Sequence, residues 1–149
     1  MKRMLILIVS VLMLVPAVAE QRQLIILHTN DFHGRIKQEN EFAGAARITA
    51  LVNQVRENNE AVLFLNAGDS ISGTPVSTLF EGIPIFEVMN MMGYDAAALG
   101  NHEFDHGFRQ IEKFRDIANY PLLSINAYSP NGELLADAPL LVKDIAGIK

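Results

Sequence analysis

The chain has 149 residues, half of them hydrophobic, with no cysteine and a formal net charge of −5. A chain of that length forms one compact domain at most, and without cysteine it has neither a disulfide framework nor a lipid-anchored cysteine start. The acidic balance argues against a nucleic-acid polymer as partner, because such a surface needs a basic stripe.

The first element is a leader. Lys2 and Arg3 precede an apolar run from Met4 to Val15, followed by Pro16 and Ala17-Val18-Ala19, which has the small-x-small form of a signal-peptidase site. Residues 1–19 read as a signal peptide, and the protein as exported to the periplasm or the cell exterior. The apolar run is shorter than the roughly 20 residues a spanning helix needs, so no stable membrane span is expected after cleavage. Removing Lys2 and Arg3 leaves ten basic residues against 17 acidic ones over residues 20–149, a net charge of −7.

Three apolar runs then predict buried strands, at Leu24 to Leu27, Ala61 to Leu65 and Ala96 to Leu99. Between the first two, Ala45, Ile48, Leu51, Val52 and Val55 recur at three- and four-residue steps and predict an amphipathic packing helix. Gly82 and Pro84 mark the start of a second helix that Gly93 stops. Its Phe86, Val88, Met89 and Met92 have core spacing. A third helix carries Phe108, Ile111, Phe114, Arg115 and Ile117 and leads to a strand from Leu122 to Ser124. Asn131-Gly132 reads as a turn, after which Leu140 to Val142 and the last residues read as antiparallel strands. Alternating strands and helices argue for an α/β domain with parallel pairing.

Each of the three apolar runs is followed by a polar cluster: Asp31-Phe32-His33, Gly68-Asp69-Ser70 and Asn101-His102-Glu103-Phe104-Asp105. The carboxyl ends of strands are where open α/β sheets bind ligands. Mixed carboxylate and imidazole donors suit Mn, Fe, Co or Zn better than a site for Mg or Ca alone. Asp31 and His33 converge on one ion if the chain bends after Asn30. Asp69 has two oxygens and can bridge two cations about 3.5–4 Å apart, the spacing used for in-line displacement at phosphorus. Asn101 supplies a carbonyl oxygen to the second ion. His102 lies beside the metals, able to donate to phosphoryl oxygens, with Asp105 orienting its ring. Taken singly, Asp31 and Asp69 are ordinary turn or capping carboxylates, His33 a surface histidine and Asn101 a turn residue. It is the three clusters in order that favour the site. His28 reads as a hydrogen-bonded structural histidine and His106 as structural or near the site. Glu103 reads at most as a turn cap, and Ser70 and Ser72 as loop residues. The Gly68 to Gly73 segment has neither a nucleophile elbow nor a P-loop ending.

The segments Leu27 to Gly34, Asn66 to Asp69 and Tyr94 to Gly107 closely resemble the bacterial 5′-nucleotidase family of calcineurin-like metallophosphoesterases. That group includes UDP-sugar hydrolases and 2′,3′-cyclic nucleotide phosphodiesterases. The resemblance runs from about Leu24 to the last residue. It implies a four-layer α-β-β-α sandwich, of which this chain holds about the first half. It also implies two divalent metal ions (Mn, Zn, Co, Fe or Mg), with Asp31 and His33 on one, Asp69 bridging, and Asn101 on the other. His102 and Asp105 become the pair that stabilises the transition state, with hydroxide at the metals attacking phosphorus in line. The substrate implied is a small-molecule nucleotide. The family's further histidine ligands and its nucleoside-binding domain have no counterpart after His106, so the expectation is an N-terminal portion with little turnover of its own. Alternatives are a nucleotide-sugar or cyclic-nucleotide phosphodiesterase, a sulfur-compound hydrolase, or a non-catalytic metal-binding module.

Overall fold

The computed structural model describes residues 22–149; the leader read at residues 1–19 lies outside them. Strand β1 (Ile25–Thr29) is followed by helix α1 (Gly44–Asn58) and strand β2 (Val62–Asn66). A short helix α2 (Pro75–Leu79) and the longer α3 (Ile83–Met92) lead to β3 (Ala96–Ala98). After a 3₁₀ turn at His102–Phe104 come α4 (Gln110–Ile117) and β4 (Leu122–Leu123). The four strands lie side by side in sequence order, all parallel. Leu27 sits opposite Phe64, Asn66 opposite Ala97, and Ala97 opposite Leu122. These residues share one face, since side chains alternate along a strand, and that face carries the core.

Helix α3 packs against both α1 and α4, placing the helices over that face. Phe86 stacks on Phe114 with ring centroids 4.2 Å apart, and Phe64 stacks on Tyr94 at 4.0 Å. Phe86, Met89, Met92, Ile111 and Phe114 are all buried, as their helical spacing predicts. Each such aromatic pair adds about 0.5–1.5 kcal/mol beyond its burial. Gly82 and Gly93, both left-handed, bound α3, and Pro84 lies in its first turn. Arg56, in the last turn of α1, donates to the Gly93 carbonyl at 3.0 Å and to Asp95 at 3.0 Å. It thereby neutralises the negative end of α3 and ties the two helices together.

The structure departs from the sequence reading in four places. Leu51, expected to pack, is 59% exposed, because the wall of α1 that meets the sheet is narrow and centred on Val52. Helix α2 was not anticipated; Thr74 caps it and Pro75 opens it, a start signal made of only two residues. His28 is exposed rather than hydrogen-bonded within the core, because it points to the sheet face opposite Leu27. Leu140 to Val142 form no strand. They run exposed in an irregular conformation, with Leu141 and Val142 lining a cavity on the second sheet face together with Leu63, Leu65 and Leu123. Only a single antiparallel bridge, Ile145 to Ile148, forms in the last residues. The turn at Asn131-Gly132 does form, closed by a bridge from Tyr128 to Leu134.

Candidate metal centre

Beyond the end of β1 the backbone bends sharply. Asp31 and His33 both take positive φ, 51° and 49°, a conformation uncommon for residues with a side chain, though Asp, Asn and His adopt it more readily than most. The bend keeps the loop against its neighbour. The amides of Asp31, His33 and Gly34 donate to the carbonyls of Gly68, Asp69 and Ser70 at 3.2, 3.1 and 2.8 Å. The parallel ladder of β1 and β2 thus continues irregularly past the strands and carries His33 alongside Asp69.

The second loop is built the same way. Asp69 has φ 55°, and beneath it the buried Asn66 side chain accepts from the Gly68 amide at 2.9 Å and from Ser70 Oγ at 3.0 Å. Gly68, at φ 97°, lies so close to the third loop that a Cβ there would fall 2.7 Å from the Gly100 nitrogen. Backbone therefore meets backbone between the second and third loops, which only glycine permits. The His102 amide donates to Asp69 Oδ1 at 3.0 Å, aiming that carboxylate towards the third loop.

Donor atoms of His33, Asp69 and His102 all lie within 4.8 Å of one another, and the two imidazoles meet edge to face with centroids 4.8 Å apart. His33 Nδ1 lies 3.2 Å from the Ile71 carbonyl. A carbonyl only accepts, so Nδ1 carries the proton and the Nε2 lone pair stays available. His102 Nδ1 faces Asp105 Oδ2 at 2.8 Å, so Nδ1 carries a proton, and Nε2 offers a lone pair in the neutral ring and an N–H in the protonated one. Tying one ring nitrogen to a carbonyl or carboxylate is how metal-ligating histidines are oriented, so this donor set fits a first-row divalent cation. The Asp105 hydrogen bond also raises the His102 pKa above its ordinary value. Reciprocally, His102 and then the hydroxyl of Ser72 hold Asp105 below the usual carboxylate range.

The residues singled out from sequence are thus not equally placed. His33 and Asp69 converge, and His102, read as lying beside the metals, stands within the same group. Asp31 lies just outside it: its carboxylate is 59% exposed, accepts from the Asn30 amide group and has Oδ1 3.6 Å from His33 Nε2. Asn101 sits exposed at the start of the 3₁₀ turn without a side-chain cap bond. Asp105 Oδ2 lies 2.8 Å from His102 Nδ1. Among the described residues, His106 has a buried Nε2 with no hydrogen-bond partner, and its charge contributes weakly to holding Asp105 low. Two residues carry more than their sequence context indicates. Ser72, read as a plain loop residue, donates its hydroxyl to Asp105. Glu103 is 1% exposed and accepts from the amides of Ser70 at 2.7 Å, Asp69 at 3.0 Å and Gly100 at 2.6 Å. The one sequence signal for Glu103 is its place directly between His102 and the apolar Phe104.

Comparison with known proteins adds to this geometry. Residues 24–144 match the calcineurin-like phosphoesterase family. The chain is 45% identical over 134 residues to a 5′-nucleotidase of Vibrio cholerae, covering 85% of this chain and 24% of that protein. Among solved structures it resembles a 5′-nucleotidase precursor from Thermus thermophilus with a TM-score of 0.72 and 32% identity, covering 83% of this chain and 26% of that one. It also resembles the NAD nucleotidase of Haemophilus influenzae with a TM-score of 0.67 and 32% identity, covering 73% of this chain and 22% of that one. The chain therefore spans about a quarter of the length of the relatives it matches.

Proposed function

The chain belongs to the calcineurin-like phosphoesterase family, and from that premise we propose that it supplies part of the active site of an exported, metal-dependent hydrolase of nucleotide phosphate esters. The observation that carries this reading is the convergence of His33, Asp69 and His102, with both imidazoles tethered through Nδ1. His33 and Asp69 would hold a divalent cation, with Asp31 and Asn101 completing a two-cation set at the rim. Bound cations would polarise phosphoryl oxygens and lower the pKa of water, supplying the nucleophile at neutral pH.

The remaining work falls to the chain's own groups. His102, with its pKa raised by Asp105, stays protonated to higher pH than a free imidazole and can donate from Nε2 to a phosphoryl oxygen as charge builds there. Asp105 fixes the ring, and Ser72 fixes Asp105. The edge-to-face contact with His33 limits the swing of His102 on the other side. Nucleotide monophosphates are the substrate class favoured by the similarity to 5′-nucleotidases. A pyrophosphate-linked dinucleotide is the second choice, from the similarity to an NAD nucleotidase.

We read residues 1–19 as an export leader, supported by Lys2, Arg3 and Ala17-Val18-Ala19, and residues 20–149 as the portion of the phosphoesterase domain carrying these ligands. Among the described residues no helix is long and apolar enough to cross a membrane. The test is phosphate release from AMP by the intact protein with added Mn²⁺ or Zn²⁺. Hydrolysis is expected, with loss on chelation and in Asp69→Ala. A folded protein that binds the metals yet releases no phosphate from any nucleotide overturns the reading.

A further inference from the structure

Among the described residues that the proposed chemistry leaves unused, Glu103 is the most completely buried carboxylate, and its hydrogen bonds do not stay within its own loop. One oxygen accepts from Ser70 N; the other accepts from both Asp69 N and Gly100 N. In the opposite direction, the Asp69 carboxylate accepts from His102 N, the residue next to Glu103. The second and third loops are therefore joined twice, each reaching the other's backbone through a carboxylate, across a gap that Gly68 and Gly100 keep closed. A carboxylate accepting several backbone amides makes charge-assisted bonds roughly twice as strong as neutral ones. Asp69 has something that needs such a hold: its φ of 55° places it in the sparsely populated left-handed region, which persists where the surroundings over-determine it.

We propose that Glu103 is the positioning residue of the metal centre: by gripping the amides of Asp69, Ser70 and Gly100 it holds Asp69 in its left-handed conformation and keeps its carboxylate within reach of His33 and His102. It touches neither substrate nor metal. The proposal rests on the metal reading of the preceding section for its purpose, though not for its geometry. A Gln at this position keeps the shape but turns an amide group, two N–H donors, towards backbone N–H groups, so at least one of the three contacts becomes donor against donor.

The test measures amide hydrogen exchange and Mn²⁺ affinity on the intact protein and on Glu103→Gln, with Glu103→Asp alongside. In metal-free Glu103→Gln, exchange at Asp69, Ser70 and Gly100 is expected to quicken at least about tenfold while the amides of β1 to β3 keep their protection. Mn²⁺ affinity is expected to fall about 10–100-fold, the loss typical when a ligand's support is removed. Glu103→Asp, which keeps the charge, should recover part of both. The proposal is overturned if the three amides exchange at the parent rate, if protection is lost evenly across the sheet, or if exchange quickens while affinity holds. Should the parent protein bind no Mn²⁺, the metal reading fails and exchange alone decides the grip. Should Glu103→Gln not fold, Glu103→Asp decides instead, because its shorter side chain keeps the charge but cannot reach all three amides as Glu103 does. Faster exchange at Asp69, Ser70 and Gly100 together with weakened Mn²⁺ binding in folded Glu103→Asp then supports the proposal, and parent values of both overturn it.

Discussion

The loops beyond the sheet and the helical layer beneath it are built on opposite principles. The layer is apolar and in ordinary helical conformation; its helices are joined by stacked rings, Phe86 on Phe114, and the sheet is joined to it by Phe64 on Tyr94. The loops place Asp31, His33, Asp69 and Ser72 at positive φ and are held by amide-to-carbonyl and amide-to-carboxylate bonds between chain segments more than 30 residues apart. Burial is non-directional, so it stabilises without fixing an atom's position; hydrogen bonds contribute less net energy but set distances. Stability and precision are thus housed in different places, and perturbing one should leave the other largely intact.

The largest expected effect lies in the apolar core between sheet and helices. Phe64→Ala should lower unfolding free energy by about 3–5 kcal/mol, while whatever fraction stays folded keeps its metal affinity; denaturant unfolding alongside Mn²⁺ titration checks both halves. The converse comes next. Asp69→Asn retains Oδ1 as acceptor for the His102 amide but removes the charge, so hydrolysis should fall at least about 10²-fold, more than loss of an outer partner alone, with the unfolding midpoint barely moved. A comparable loss of stability would erase the contrast between the two regions.

Asp105→Asn should cost about 10–100-fold in activity and, in the metal-free protein, bring the His102 titration midpoint down towards its ordinary 6.5, as followed by NMR of the ring proton. Smaller again is an acid effect remote from the site. Burial alone would raise the Asp95 pKa, but hydrogen bonds from Lys143 and the Phe64 amide, with the charges of Lys143 and Arg56, hold it below 3.8. A depressed native pKa contributes stability above the unfolded value that is lost as pH falls through the native one. Below about pH 3.8 the Lys143 contact should therefore loosen, read as faster exchange around residues 143–148. Least of all, Lys113→Ala, which removes an exposed pair with Glu81 at 3.4 Å, should change stability by less than about 1 kcal/mol.

The layer was almost fully legible in the sequence, because periodicity reports burial against a neighbouring face and needs no knowledge of what that neighbour is. Phe86, Met89, Ile111 and Phe114 follow from spacing alone. Leu51 and Leu140 to Val142 misled for the complementary reason: apolar character does not say which face or which partner a residue finds. At the site, residue types marked the donors, and His33, Asp69 and His102 do lie together. What sequence could not convey was the join between loops. Glu103 becomes buried only because Gly68 and Gly100 bring two distant turns into contact, and nothing local to Glu103 records that meeting. Asp31 and Asn101, whose side chains project outward, show the same limit.

Strand order that follows chain order bears on the protein's synthesis. Each new strand emerges to find its partner already made, so the sheet widens one strand at a time without holding an edge open for a distant segment. The Asp69 loop is the exception, because Glu103 is made 34 residues after Asp69. At ribosomal speeds that is a delay of roughly 2–7 s. During it the amides of Asp69 and Ser70 have only water as acceptor, and the bend between β2 and β3 takes its final shape after the strands on either side of it already exist.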